Sequence, residues 1–213
     1  MSDLYYFDTD AFVKFFTPEI GHDVCIEICN NSDNCIIISE FTILEFYSAL
    51  AKCKNNHEIT KKQYNDFLAY FNSIIIGEDK TGQMRATVRV IPITSDQILN
   101  AKNNVYENET LHPGDSIQIA VSLEYRDYEV TMVTGDGKVR RICEKKGINC
   151  LNINKCICSC GNEITFERKT EICPSCNVAQ TITQEARCDN CGNICDTCNN
   201  PRWCERIRRQ LFS

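Results

Sequence analysis

The chain has 213 residues, 43% of them hydrophobic and 24% charged, with a formal net charge of −6. That is room for one substantial α/β core plus a small appendage, and it excludes two large cores. No apolar run approaches the ~18 residues of a membrane span. The opening Met1-Ser2-Asp3 lacks the basic and apolar regions of a signal peptide, so a cytoplasmic protein without a membrane partner is expected.

In chain order, Leu4 to Phe7 reads as a short apolar strand running into Asp8-Thr9-Asp10, after which Ala11, Phe12, Phe15 and Phe16 recur at helical spacing. Ile36 to Ile38 is a second buried strand. Ser39 and Thr42 are helix-start residues, and Ile43, Leu44, Tyr47, Leu50 and Ala51 continue that helix. Tyr64, Phe67, Leu68, Phe71 and Ile75 mark another. Val88 to Ile93 alternates like a strand, and Ser95 is the expected cap of a helix through Ile98, Leu99 and Val105. Pro113-Gly114-Asp115 breaks the chain and opens a helix carrying Ile117, Ala120, Val121 and Leu123. Val130 to Val133 is a strand, Gly135-Asp136-Gly137 a turn, Val139 to Lys145 a helix stopped at Gly147, and Ile148 to Ile153 the last strand. Alternating strands and helices predict an α/β fold with a parallel sheet covered on both faces.

Ligand sites of such sheets lie beyond the carboxyl ends of the strands. Asp8 follows the first strand and Asp136 a later one; Glu45 lies in the helix after the second strand, and Asp115 opens a helix. Each has a plain structural alternative. Asp8 or Asp10 could cap the first helix, Thr42-x-x-Glu45 matches a capping box, Asp115 suits an N-cap, and Asp136 between glycines suits a turn. Carboxylates gathered at strand ends repel unless neutralised, and a hard divalent cation such as Mg²⁺ or Mn²⁺ does that with oxygen ligands.

Tyr6-Phe7-Asp8-Thr9-Asp10-Ala11-Phe12-Val13-Lys14, followed by Pro18-Glu19-Ile20-Gly21, resembles the opening of the PIN-domain nucleases of the VapC-like toxin group. Ser39 to Glu45 is similar to that family's second acidic motif, Asp115-Ser116-Ile117-Gln118-Ile119-Ala120 to its third, and Val133-Thr134-Gly135-Asp136 to its T-x-D motif. The resemblance spans residues 4 to about 153. Asp10 departs from it, since the family usually has Ser or Asn there. The resemblance implies a metal-dependent endoribonuclease in which Asp8, Glu45, Asp115 and Asp136 hold one or two Mg²⁺ or Mn²⁺ ions. The metal would activate water and clamp the scissile phosphate of an RNA substrate. It also implies that Thr134 orients a carboxylate or the water through its hydroxyl. His22, His57 and His112 read as surface or loop residues.

Six of the sixteen cysteines (Cys25, Cys29, Cys35, Cys53, Cys143 and Cys150) are scattered through the first 150 residues and read as small buried hydrophobes. The other ten fall between Cys156 and Cys204, mostly in close pairs, which in a reducing compartment indicates metal ligation. Residues 1–150 carry a formal charge of −7 and residues 151–213 a charge of +1. Both shifts divide the chain into a domain over 1–153 and a zinc-ribbon domain over 154–213. Cys158-x-Cys160 and Cys173-Pro174-Ser175-Cys176 match two knuckles of a structural Cys₄ zinc site, with Glu163 to Glu171 as a hairpin between them. Cys156 could replace Cys158 or Cys160 by a register shift. Cys188, Cys191, Cys195 and Cys198 form a second Zn²⁺ set, in which Cys204 could displace Cys195 or Cys198. A basic helix is expected from Pro201, with Arg202, Arg206, Arg208 and Arg209 facing RNA phosphate or solvent.

Two settings fit such a nuclease. One is a toxin neutralised by a small antitoxin protein; the other is RNA maturation, since a PIN domain joined to a zinc ribbon resembles ribosomal-RNA-processing nucleases. A non-catalytic module that binds RNA or protein through the tail is the alternative of another class. The family resemblance also favours a homodimer.

Overall fold

In the computed structural model the described residues are 3–16, 21–57, 59–77 and 84–154, together with the backbone of four short strands beyond them. Five strands form one parallel sheet: β1 (Leu4–Phe7), β2 (Cys35–Ser39), β3 (Thr87–Ile91), β4 (Thr131–Thr134) and β5 (Asn149–Asn152). Their order is β3-β2-β1-β4-β5, so the chain winds outward from β1 to one edge and then returns to its other side. Pairing in register sets Tyr6 beside Ile37 and Met132, and Phe7 beside Val133.

Alternation along the strands divides the core in two. Phe7, Ile36, Ile38 and Val133 pack on one face with residues of α1 (Thr9–Phe16), α2 (His22–Asn30), α3 (Glu40–Asn55) and α4 (Lys61–Ile75). Tyr6, Ile37 and Met132 pack on the other with α6 (Pro113–Leu123) and α7 (Gly137–Lys145). Helix α5 (Ser95–Glu107) lies on α6, where the Ser116 hydroxyl donates to the Ala101 carbonyl at 2.5 Å. The first face is built on aromatic rings. Phe46 and Phe71 stack with centroids 4.1 Å apart, and Phe12 meets Phe71 edge-on at 5.5 Å. Phe71→Ala removes a fully buried ring from this contact and should cost about 3–5 kcal/mol, read as a lowered urea midpoint.

Local hydrogen bonding sets the helix starts. Ser39 Oγ accepts from the Thr42 N–H at 3.2 Å, so Ser39 caps α3 and Glu45 lies in its second turn, outside any capping box. Thr94, not Ser95, caps α5, in a capping box with Gln97. Packing on α6 buries Gln97, Ala101 and Asn104 and leaves Ile98 and Leu99 exposed, against the apolar face expected of them. His112, not Asp115, caps α6, with Pro113 in its first turn. Helix α7 ends before Gly147, whose φ of +80° suits glycine and turns the chain into β5. Helix α2 has no counterpart among the expected elements.

Cys25, Cys29 and Cys143 are buried as expected, whereas Cys35, Cys53 and Cys150 are only partly so. Beyond the sheet, β6 (Cys156–Ile157) pairs antiparallel with β7 (Glu163–Ile164), and β8 (Arg168–Ile172) with β9 (Ala179–Thr183). Glu163 and Glu171 thus belong to different strand pairs, and not to one hairpin between the knuckles. The side chains of Cys158, Cys160, Cys173, Cys176, Cys188, Cys191, Cys195, Cys198 and Cys204, and the basic segment from Pro201, lie outside the described residues. No helix among the described residues is long and apolar enough to cross a membrane.

Candidate active site

The strand order reverses between β1 and β4, and the chain leaves the carboxyl ends of these two strands on opposite courses. A crevice at that point is where parallel α/β sheets take ligands. Here it is an open cleft of about 320 Å³ lined by Asp8, Thr9, Asp10, Glu45, Asp115, Gln118, Gly135, Asp136 and Asn154. Asp8 directly follows β1, Gly135 and Asp136 follow β4, Glu45 comes from α3, and Asp115 and Gln118 from α6. The four carboxylates expected to meet do line one cleft. Asp10 adds a fifth.

The plain alternative holds for Asp8 as well, while Asp136, expected as a turn residue, is a helix cap. Asp8 Oδ1 accepts from the Ala11 N–H at 2.7 Å and so caps α1, and Asp136 Oδ1 accepts from the N–H groups of Lys138 and Val139 and caps α7. Each cap engages Oδ1, the geometry by which one carboxylate serves both a helix end and a ligand. Thr134 sits buried behind them: its hydroxyl bonds the Asp8 carboxylate, and its oxygen accepts from the Asp136 N–H at 3.0 Å. Glu45 Oε2 accepts from the hydroxyl of Thr9 and from the Gln118 amide at 3.1 Å.

The electrostatics are those of crowded acids. Asp8 is only 7% exposed. Burial, and then the charges of Asp10 and Asp115, push its carboxyl up to about 8 against the opposing bonds from Thr134 and Ala11. Burial likewise raises Asp115, with Asp136 and Glu45 adding to it and His112 and Lys138 opposing. The buried Lys14 reaches within 3.7 Å of Asp10 Oδ1. Gly135 must be glycine for space, since a Cβ there would run into the Asp10 carboxylate and the Asn154 amide. Asn154 in turn donates to the Gly135 carbonyl at 2.5 Å and holds that loop against the end of β5.

Among the described residues no three acidic or imidazole side chains are already drawn around a single point as a formed metal centre. The donor set nonetheless fits one chemistry. It is all oxygen and mostly carboxylate, with Asp8 forced toward its protonated form, and a hard divalent cation satisfies such a set. The histidines stand apart from it: His22 Nδ1 is 2.8 Å from the Lys14 carbonyl, His57 sits in a turn with φ +59°, and His112 caps α6. Sequence reasoning passed over Thr9, Gln118 and Asn154. For Gln118 a signal was present, a polar residue in the otherwise apolar stretch Ile117 to Val121.

A cleft lined by carboxylates at the switch point of a parallel sheet is an arrangement whose charge a divalent cation would offset. The chain matches the PIN domain over residues 5–145 and belongs to that family, whose domains are generally metal-dependent nucleases. Two solved structures are similar. The VapBC2 complex from Rickettsia felis bound to a DNA fragment from its promoter shares 16% identity at a TM-score of 0.48, over 70% of this chain and 98% of that one. A toxin–antitoxin complex from Klebsiella pneumoniae shares 18% at a TM-score of 0.39, over 64% of this chain and 89% of that one. No curated protein matches the chain.

Proposed function

We propose that the protein is a Mg²⁺- or Mn²⁺-dependent endoribonuclease that hydrolyses RNA phosphodiester bonds at this cleft. The observation that carries the reading is Asp8, a nearly buried carboxyl whose proton affinity is raised beside further carboxylates at the end of β1. The caps on α1 and α7 account for Asp8 and Asp136 one at a time, but not for the gathering of further repelling acids in one cleft, which a cation would offset. Asp8, Glu45, Asp115 and Asp136 would hold the metal, which when bound supplies Lewis-acid stabilisation of the phosphate and a more acidic water. Thr134 fixes Asp8, and the caps on α1 and α7 fix the chain on either side of the cleft.

The four motifs in order support a VapC-like toxin held in check by a small antitoxin protein, and the same resemblance favours a homodimer. A second reading, RNA processing, draws on the tail. The chain continues beyond the PIN match into two antiparallel strand pairs, and the cysteines of each knuckle fall in the connection between paired strands. That arrangement supports a zinc-ribbon domain over 154–213 following a nuclease domain over 1–153. One Zn²⁺ would be held by Cys158, Cys160, Cys173 and Cys176, and a second by Cys188, Cys191, Cys195 and Cys198, with Cys204 able to displace Cys195 or Cys198.

The test is cleavage of end-labelled single-stranded and structured RNA, and of branched DNA, by the full chain in Mn²⁺ or EDTA. Zinc content is measured by mass spectrometry on the same sample. Cutting of RNA that needs Mn²⁺ is expected, from protein that carries zinc before chelator is added. Zinc-loaded, folded protein that cuts no RNA across the panel would sink the nuclease reading and leave RNA or protein binding by the tail. Preference for branched DNA would overturn the substrate assignment alone.

A further inference from the structure

Gln118 is a neutral side chain that joins the cleft to the centre of the fold. It is 3% exposed, and its amide is used at both ends. Oε1 accepts from the Tyr6 hydroxyl at 2.5 Å and from Ser39 Oγ at 3.1 Å. Nε2 donates to Glu45 Oε2 and to Thr9 Oγ1, each at 3.1 Å, and Thr42 Oγ1 lies at 3.1 Å from the same nitrogen. The orientation of the amide follows from chemistry. A carboxylate only accepts, so the nitrogen must face Glu45, and the oxygen then faces the hydroxyls of Tyr6 and Ser39, which can donate to it. Thr9, receiving from Gln118, passes its own proton to the same Glu45 oxygen.

Both donors therefore fall on Oε2. The other oxygen, Oε1, lies against Gly114, where an added Cβ would stand only 2.9 Å from it, at the start of the helix that bears Asp115. A glutamate has three rotatable bonds and, half-exposed on a helix, many rotamers to lose. Held by one oxygen, the carboxylate keeps a fixed place among the residues that line the cleft.

We propose that Gln118 is the positioning residue for Glu45: with Thr9 it clamps Oε2 so that Oε1 is presented to a divalent cation. Tyr6 and Ser39 anchor the clamp to β1 and β2. This rests on the metal-dependent reading of the cleft, and it makes the glutamine of the Asp115-to-Ala120 motif part of the site, not of the core. Orienting partners of metal ligands typically change affinity 10–100-fold when lost.

The experiment measures Mn²⁺ affinity, by electron paramagnetic resonance of the free ion, for wild type, Gln118→Met, Glu45→Gln and the double variant. Gln118→Met should weaken Mn²⁺ binding about 10–100-fold. The double variant should bind no more weakly than Glu45→Gln, because Gln118 acts through Glu45. Gln118→Glu guards against a failure to fold: it retains an acceptor for Tyr6 and Ser39 but sets an oxygen against Glu45 Oε2, and it should lose Mn²⁺ as Gln118→Met does. Additive losses, or either Gln118 variant binding Mn²⁺ as wild type does, overturn the proposal. Wild-type protein that binds Mn²⁺ but cuts no RNA overturns the nuclease reading alone, since the coupling is read from affinity. Wild-type protein that binds no Mn²⁺ overturns both.

Discussion

Asp8→Asn should lower RNA cleavage by about 10²–10³-fold, a loss of several kcal/mol of transition-state charge stabilisation. The same change should leave the fold intact, or stabilise it in the absence of metal. Asparagine keeps an Oδ1 that can accept from the Ala11 N–H, so the cap on α1 is preserved. What disappears, toward pH 8 where Asp8 ionises, is a charge that is nearly buried and faces Asp10 and Asp115. A ligand lost and a repulsion relieved move activity and metal-free stability in opposite directions. Cleavage rates in Mn²⁺ and thermal midpoints in EDTA, measured on one preparation, check both. A variant that cuts at the wild-type rate removes Asp8 from the chemistry. One that cuts slowly and melts well below wild type shows a structural role instead.

The second large effect is a dependence of metal-free stability on pH. Asp8 in the folded protein keeps its proton up to about pH 8, whereas in the unfolded chain it releases it near the ordinary value of 3.8. Because the folded state binds this proton more tightly, its contribution is complete below about pH 4 and is lost progressively as pH rises toward 8. In EDTA, the thermal midpoint of wild type should therefore fall between pH 5 and pH 8 relative to Asp8→Asn, which has no such proton to lose. Added Mn²⁺ should raise the midpoint most at the upper end, where the carboxylate is already ionised and no proton competes. Parallel wild-type and variant curves across that range would show that Asp8 titrates normally.

Glu45 and Asp136 illustrate how one acidic residue divides its labour. Asp136 caps α7 through Oδ1, so Asp136→Ala removes both a cap and a candidate ligand, and only Asp136→Asn separates the two. Glu45 has no cap to serve. Its Oε2 is held from within the fold by Thr9 and Gln118, which is why its place in the cleft depends on residues from β1, β2 and α6 as well as on its own helix.

Much of this was legible in the residues alone. Short apolar runs such as Leu4 to Phe7 and Ile36 to Ile38 read as buried strands because a parallel sheet covered on both faces has no polar side to show. Asp8 and Asp136 announced themselves by standing at strand ends, where such folds place chemistry. These inferences use near neighbours in sequence, and near-neighbour periodicity is a local property of the chain. Helix caps are local too, yet they depend on which of several adjacent hydroxyls or rings reaches an N–H. Thr94 caps in place of Ser95, and His112 in place of Asp115, while packing on α6 buries the Gln97, Ala101 and Asn104 face of α5 and leaves Ile98 and Leu99 outward. Helix α2 went unread because it has only nine residues, and its apolar ones, Val24, Cys25, Ile26, Ile28 and Cys29, are too closely spaced to trace a single helical stripe.

What no local pattern could convey is which ends meet. Asp8 and Asp136 share a cleft because β1 pairs with β4, and Glu45 and Asp115 join them because α3 and α6 pack beside the same edge. Gln118 bonds Tyr6 across 112 residues, and nothing in either neighbourhood forecasts the other. Composition and periodicity constrain the kind of fold and the residues able to bear charge at strand ends. Strand order, and with it the convergence of five carboxylates and the buried amide that orients one of them, follows from burying two apolar faces at once. That is a property of the whole packed chain.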